Sequence, residues 1–253
     1  GFVDPAGQPV ATASFLVEEV VPARIEVKLK TDATALKADE TATINLSAMY
    51  LYGAPAGGLP VGGDVTIKLD DDPFPAFPGY GFGLVDEKVE PARTDVAASE
   101  TAEDGSASIA VTAENLPDTP QPLQAVVRSE VFEFGGRPVV QTLKLPIRNR
   151  SLYLGIKPGF ANGSVAENSG GGFDVIAVDA GGAAVALPKA KYRLVREEWD
   201  YQWYYRNSSW DYEVVVRDAG GSGGEVAIAA DKPGHIAENV QWGPYRLEVY
   251  DDA

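Results

Sequence analysis

Alternating apolar and polar side chains along the chain predict β-strands rather than helices. From Ile25 to Lys30, every second residue is a branched apolar residue and the residues between are charged, as in a half-buried strand. Similar strands are predicted over 43–50, 65–69 and 106–111. No segment of twelve or more residues has a helical period, so we predict an all-β chain.

A connection rich in Gly, Pro and Ala recurs between predicted strands. The longest copy is Tyr50–Val65, a second is Asp179–Pro188, and a shorter form is Asp4–Val10. Gly permits positive φ and Pro withholds a backbone N–H, so each copy is an ordered β connection rather than a helix. A feature built into every repeat is more typical of architecture than of a binding site. We therefore interpret it as the hairpin around which each of several tandem domains folds.

Breaks in the strand pattern predict the domain organisation. Pro22 and the run Arg148–Arg150 interrupt the alternation. We predict two tandem antiparallel β-sandwiches of the fibronectin and immunoglobulin type, at 23–148 and 149–253. Residues 1–22 are expected to be the end of a preceding domain or a linker strand.

The structure of three segments that connect the predicted strands can also be predicted. Asp70–Tyr80 interleaves Pro with Phe and Tyr, so we expect an irregular loop packed by its aromatic rings against the sheet rim. A further strand is expected within Tyr80–Val89, and Gly220–Gly224 is expected to be a flexible loop.

Composition and charge narrow the function classes. The chain has 253 residues, 45% of them hydrophobic, and a net charge of −16, which disfavours nucleic acid and anionic membrane surfaces as partners. Cysteine is absent, which excludes a disulfide, a thiolate zinc site and a cysteine nucleophile within these residues. No apolar run approaches a membrane span. The chain opens within a strand pattern, so we expect an internal piece of a longer protein.

Few residues are candidates for chemistry. Asp70–Asp72 could offer carboxylates to calcium, but it lacks the Gly and Glu of an EF-hand loop, and a solvated strand end is the favoured interpretation. His235 is the only histidine and is interpreted as structural. The Asn-x-Ser sequons at Asn45, Asn162 and Asn207 are discounted. We expect no cofactor, no metal and no catalysis; a glycoside-active enzyme ranks well below the other possibilities.

The segment from Trp199 to Tyr212 is the most unusual, because it holds three of the four tryptophans. Its rings could stack on sugars or contact a protein, or they could pack on a neighbouring domain; domain packing is favoured. The predicted turn is at residues 207–209. The predicted interface residues are Trp199, Tyr201, Trp203, Tyr205, Trp210 and Tyr212.

The order of several segments resembles the macroglobulin domains of bacterial alpha-2-macroglobulins. The resemblance covers essentially the whole chain and is carried by Phe15–Pro22, Tyr50–Val61, Ser151–Ile156, Trp199–Tyr212 and Gln241–Val249. The aromatic hairpin Trp199–Tyr212 is similar to a segment just before the bait region of that family.

This resemblance implies a periplasmic protein, often lipid-anchored to the inner membrane, that inhibits endopeptidases broadly. A protease cuts the bait, the inhibitor changes conformation, and a Cys–Gln thioester traps the attacker. Without cysteine these residues hold no thioester, and they contain no obvious bait. The implied role is a non-catalytic scaffold. The resemblance implies that these residues contact other domains of the same parent protein. Target proteases would be bound by the full-length protein. Any membrane attachment would be through a lipid anchor outside this piece. The alternative is an extracytoplasmic binding module that uses the Trp199–Trp210 hairpin.

Overall fold

The computed structural model describes residues 2–3, 9–11, 24–133, 135, 137–206 and 209–251. At the start of the chain, β1 (Phe2–Val3) pairs antiparallel with β2 (Pro9–Ala11). These two strands flank residues 4–8 of the short Asp4–Val10 connection. Residues 4–8, and residues 12–22 of the expected domain end or linker strand, lie outside the described residues.

The first sandwich consists of two antiparallel sheets. One sheet has the order β3-β4-β9, and the other has the order β11-β10-β5-β7 with β8 added beside β5. Every second residue of β4 is buried, so its apolar positions face the opposite sheet. The strands are β3 (Ile25–Lys30), β4 (Thr41–Tyr50), β5 (Pro60–Leu69), β6 (Gly81–Phe82), β7 (Ala92–Asp95), β8 (Ser99–Glu100), β9 (Ser106–Thr112), β10 (Leu123–Val131) and β11 (Val139–Ile147).

The second sandwich has sheet orders β16-β13-β12-β6 and β15-β14-β17. Its core is built around Val175, Ala177, Ala190, Val226 and Ile236. The strands are β12 (Leu152–Pro158), β13 (Ser169–Asp179), β14 (Leu187–Arg206), β15 (Ser209–Ile228), β16 (Gly234–Val240) and β17 (Tyr245–Tyr250). Two tandem antiparallel β-sandwiches are thus confirmed. Within the described ranges no helix is long and apolar enough to cross a bilayer.

The Gly- and Pro-rich connections cross from one sheet to the other. β4 and β5 belong to different sheets of the first sandwich, and β13 and β14 belong to different sheets of the second. The interpretation of Tyr50–Val65 and Asp179–Pro188 as hairpins between paired strands was therefore wrong. Each is an inter-sheet crossover, and alternation alone does not reveal which strands will pair.

The two crossovers begin with the same hydrogen-bonded turn. The amide of Tyr50 donates to the carbonyl of Ala54 at 2.8 Å, and the amide of Asp179 donates to the carbonyl four residues later at 2.9 Å. A glycine with positive φ occupies the same place in both turns, +96° at Gly53 and +87° at Gly182. The internal repeat predicted from the sequence is therefore present at the level of backbone geometry.

Two connecting segments differ from prediction, the expected loop at Gly220–Gly224 and the expected strand within Tyr80–Val89. Gly220–Gly224 is part of β15, not a loop, because β14 and β15 pair across this stretch. A Cβ at Gly221 would lie 2.2 Å from the Leu194 carbonyl oxygen, so a side chain there would clash with the neighbouring strand. The strand expected within Tyr80–Val89 is reduced to the two residues of β6.

Candidate functional site

A two-stranded arm extends from the second sandwich. β17 pairs with β14 only opposite Lys191–Arg196, whereas β15 continues to pair with β14 as far as Arg206. We call the two-stranded part, Glu197–Arg206 with Ser209–Asp218, the arm. At about 3.4 Å per residue it is roughly 35 Å long. The predicted turn at 207–209 lies outside the described residues except for Ser209, which pairs with Arg206.

All six predicted interface residues lie on one face of the arm. Register places Trp203 opposite Tyr212 and Tyr205 opposite Trp210, and successive pairs on this face are two residues apart. We call this surface the aromatic face. Each of its side chains is between 42% and 67% exposed. Its members are Trp199, Tyr201, Trp203, Tyr205, Trp210, Tyr212, Val214 and Val216.

The rings of the aromatic face are tilted against one another. Trp203 and Tyr212 have centroids 5.2 Å apart at an interplanar angle of 48°, and Tyr205 and Trp210 are 5.3 Å apart at 60°. Tyr201 is tilted by 57° from Tyr212. The face is therefore a ridged apolar surface and not a row of coplanar rings.

The opposite face of the arm is polar. The hydroxyl of Tyr204 donates to the Asp211 carboxylate at 3.4 Å, and Arg217 lies 3.8 Å from Asp200 across the two strands. The negative charge of Asp211 raises the pKa of Tyr204. The two faces of one ribbon thus differ in chemistry, as the period of two along each strand requires.

A network of charged side chains fixes the arm where it joins the sandwich. Arg246 donates to Glu197, to Asp218 at 3.1 Å and to Glu248 at 2.9 Å, and Arg193 donates to Glu248 at 3.1 Å. Partial burial opposes ionisation of Glu248, but the hydrogen bonds from the two arginines outweigh it and hold its pKa below the usual value. β14, β15 and β17 are therefore tied together at one point.

The two sandwiches share a sheet. β6 comes from the segment predicted as the first domain, yet it pairs with β12, with Phe82 opposite Gly155. Phe74 and Phe82 are buried against the second sandwich, beside Tyr153 and Val178. The aromatic residues of the Asp70–Tyr80 loop do not cover a sheet rim, as the sequence suggested; they form the contact between the sandwiches.

Arg148 is the polar centre of this contact. Its guanidinium donates to the Asp70 carboxylate and to the Pro73 carbonyl, both at 2.8 Å, and to the Leu123 carbonyl at 3.0 Å. It also lies 5.0 Å from the centre of the Phe74 ring. Each of the two terminal nitrogens of the guanidinium thus donates to two acceptors, Nη2 to Asp70 and Pro73 and Nη1 to Leu123 and Ile147.

The same contact assigns a role to the acidic run at 70–72. Asp70 is bound to Arg148, and Asp71 lies 3.3 Å from Lys68, so two of the three carboxylates have protein partners. Within the described ranges, no group of three or more His, Cys, Asp or Glu side chains could hold a metal ion. This arrangement favours the strand-end interpretation over calcium binding.

His235 lies in a cross-strand pair on the surface. Its Nδ1 is 2.9 Å from Asp174, its partner in the register of β13 and β16, and its side chain is 62% exposed. Among the discounted sequon asparagines, Asn45 is exposed on β4 and Asn207 is outside the described residues. His235 and Asn45 lie neither at the aromatic face nor at the contact between the sandwiches.

Three residues of the contact escaped sequence reasoning: Phe82, Arg148 and Gly155. A Cβ at Gly155 would lie 2.6 Å from the Phe82 ring, so this glycine is what lets the ring pack against β12. The sequence feature that could have predicted the Arg148–Asp70 pair is that the arginine directly follows the apolar end of β11 and the aspartate directly follows β5. Interpreting it required the strand order, in which β10 lies between those two strands.

Two family profiles match adjoining parts of the chain. Residues 23–148 match the "Bacterial Alpha-2-macroglobulin MG5 domain", and residues 155–253 match the "Bacterial macroglobulin domain 6". Alpha-2-macroglobulin of Xylella fastidiosa (strain 9a5c) is 30% identical over 250 residues, which is 98% of this chain and 15% of that protein. The chain therefore spans about a seventh of the length of this relative.

Solved structures match over both sandwiches. The native conformation of Escherichia coli alpha-2-macroglobulin is 28% identical and has a TM-score of 0.77, covering 94% of this chain and 16% of that one. The trypsin-activated form of alpha-2-macroglobulin from the same species is 26% identical with a TM-score of 0.72, covering 93% and 16%. Both are similar to this chain across the contact described above.

Proposed function

Because this chain belongs to the bacterial alpha-2-macroglobulin family, we propose that it is a rigid, non-catalytic scaffold within a broad-spectrum endopeptidase inhibitor. In this proposal the parent protein traps a protease after the protease cuts a bait segment. Bait and thioester lie outside residues 1–253, and these two sandwiches hold them at fixed positions while the rest of the molecule rearranges. Target proteases are bound by the full-length protein and not by these two sandwiches alone.

The observation that carries this proposal is the shared sheet. β6 completes the edge of a sheet whose other three strands belong to the second sandwich. Rotating one sandwich against the other would break the β6–β12 pairing and expose Phe74 and Phe82, which pack beside Tyr153 and Val178 of the second sandwich. The two sandwiches are thus built to move as one body.

The comparisons with solved structures support the proposal that the two sandwiches stay together as one unit before and after activation by a protease. Native and trypsin-activated structures of the Escherichia coli relative each match both sandwiches of this chain in a single superposition. The TM-scores are 0.77 for the native form and 0.72 for the activated form, so the same two-sandwich fold is matched in both states. The tilted rings of the arm do not favour the alternative of a glycan-binding module, since sugar stacking uses flat, accessible ring faces.

Trapping by the full-length parent tests the proposal. The parent is mixed with trypsin or elastase, and complex formation is followed by size-exclusion chromatography and by residual cleavage of a protein substrate. We expect a stable complex in which cleavage of the protein substrate is suppressed. Phe82→Ser should weaken suppression, and the exposed control Glu26→Gln should not. Unchanged proteolysis with the wild-type parent would refute the inhibitor function.

We also propose that the parent is periplasmic and anchored to the inner membrane through a lipid outside this segment. The support is the family resemblance alone. Cell fractionation, with and without detergent, distinguishes an anchored envelope protein from one that is recovered in the cytoplasm.

A further inference from the structure

We propose that the aromatic face is a docking surface for another part of the same parent polypeptide, one that presents an apolar patch bordered by Lys or Arg. The inference rests on the proposed function, since it takes the parent to be a multidomain protein. It specifies which surface of this segment is covered and what chemistry covers it.

The arm needs a partner to be stable as a ribbon. Apart from Glu197, whose amide donates to the Pro244 carbonyl at 3.0 Å, the two strands of the arm pair only with each other within the described residues. An isolated two-stranded ribbon is marginally stable in water. A long exposed edge beside a large apolar surface also invites aggregation unless it is covered. A contiguous face of six aromatic rings and two valines is therefore expected to be buried in the working protein.

The size of the aromatic face indicates a tethered partner. A ribbon roughly 35 Å long and 10 Å wide offers about 350 Å² on one face. A freely diffusing partner in a stable complex usually covers about 800 Å² on each side. A partner on the same polypeptide needs less, because the linkage supplies a high effective concentration. The relative in Xylella fastidiosa has 85% of its length outside the matched segment, which leaves ample chain to supply one.

Charge determines the chemistry of the partner. Over residues 197–218 the sequence has six carboxylates and two guanidiniums, a net charge of −4. Two copies of the arm would repel each other, and an anionic lipid surface or a nucleic acid would repel it as well. A complementary surface carries Lys or Arg where it meets the polar margins, and apolar side chains where it meets the rings.

Hydrogen exchange of arm amides in the full-length parent tests the proposal. Tyr204 and Tyr205 are adjacent residues on opposite faces, so they form a matched pair. We expect Tyr205→Ser and Trp203→Ser to speed exchange over residues 197–218 by about tenfold or more, and Tyr204→Ser to leave it within about twofold. Equal effects of Tyr204→Ser and Tyr205→Ser, or an arm that exchanges as freely in the wild-type parent as in Trp203→Ser, would overturn the proposal.

Two further measurements test whether a second copy of the chain or a sugar covers the aromatic face instead. Protection that rises with protein concentration would assign the aromatic face to a second copy, and glycan-array binding abolished by Trp203→Ala would assign it to a sugar; either result overturns the tethered partner. Glu213→Lys should reduce protection if the partner is basic, and no change would overturn that part.

Trypsin trapping is measured in parallel. Trapping without arm protection refutes only the docking, whereas protection without trapping refutes only the inhibitor function.

Discussion

The guanidinium of Arg148 donates to the Asp70 carboxylate at 2.8 Å, and both side chains are almost fully buried where the two sandwiches meet. The two residues are the first beyond the ends of β11 and β5, which flank β10 on either side. A long arginine side chain spans β10 and closes the end of the sheet. The pair therefore links the core of the first sandwich to the contact with the second.

Removing Arg148 should destabilise the protein strongly. Arg148→Met leaves the Asp70 carboxylate and the Pro73 and Leu123 carbonyls without their donor, and we expect a loss of about 3–5 kcal/mol in the free energy of unfolding. Urea denaturation followed by circular dichroism measures it. Arg150→Met is the matched control: Arg150 is about half exposed, and its loss should cost about 1 kcal/mol or less. Similar losses from both variants would show that Arg148 is not the centre of the contact.

A methyl group at Gly155 should separate the sandwiches. The added Cβ would lie 2.6 Å from the Phe82 ring, so Gly155→Ala is expected to cost about 1–3 kcal/mol by overpacking. Gly170→Ala in the same sheet is the control, because nothing lies within 4 Å of its Cβ. Phe82→Leu should relieve part of the cost in the double variant. Additive costs of the two substitutions in thermal unfolding would argue against their direct contact.

The first crossover should not accept a side chain at Gly57. A Cβ there would lie 2.8 Å from the Ala102 carbonyl oxygen and 2.9 Å from the Glu103 Cα, and neither backbone atom can move aside easily. Gly57→Val is expected to lower the unfolding free energy by about 1–3 kcal/mol or more. Gly62→Ala, whose Cβ would make an ordinary contact at 3.7 Å, serves as the control. Wild-type stability of Gly57→Val would show that the crossover is less constrained than the contacts indicate.

The charged network that fixes the arm should weaken in acid. The pKa of Glu248 is lower in the folded protein than its ordinary value of 4.5, so its stabilising effect is complete above that pH and is lost as pH falls through the lowered value. We expect wild type to exceed Glu248→Gln in unfolding free energy by about 1 kcal/mol at pH 7, and the difference to vanish at low pH. Urea titrations at several pH values measure it. Glu26→Gln, in an exposed pair with Lys28, should change stability by less than about 0.5 kcal/mol. A difference that persists in strong acid would contradict the linkage.

Much of the fold followed from local patterns. Strand alternation identified β3, β4 and β9, and the glycine positions of the crossovers revealed the internal repeat. In a strand, the period of two also puts Trp199, Tyr201 and Trp203 on one face, and the structure extends that face to the second strand. The interface role of these residues stays a prediction, as do the domain boundaries at 22–23 and 148–149.

Local alternation was enough to predict several strands, the side of each that faces the core, and the chemistry of each face of the arm. These follow from a period of two that any strand imposes on its side chains. The pairing of the strands depends on the tertiary structure. Pairing brings residues distant in sequence together, and local propensity does not contain that information. Tyr50–Val65 therefore proved to be a crossover, β6 joined the other sandwich, and Asp70 met Arg148. Gly220–Gly224 became a strand because its partner, β14, continues beside it.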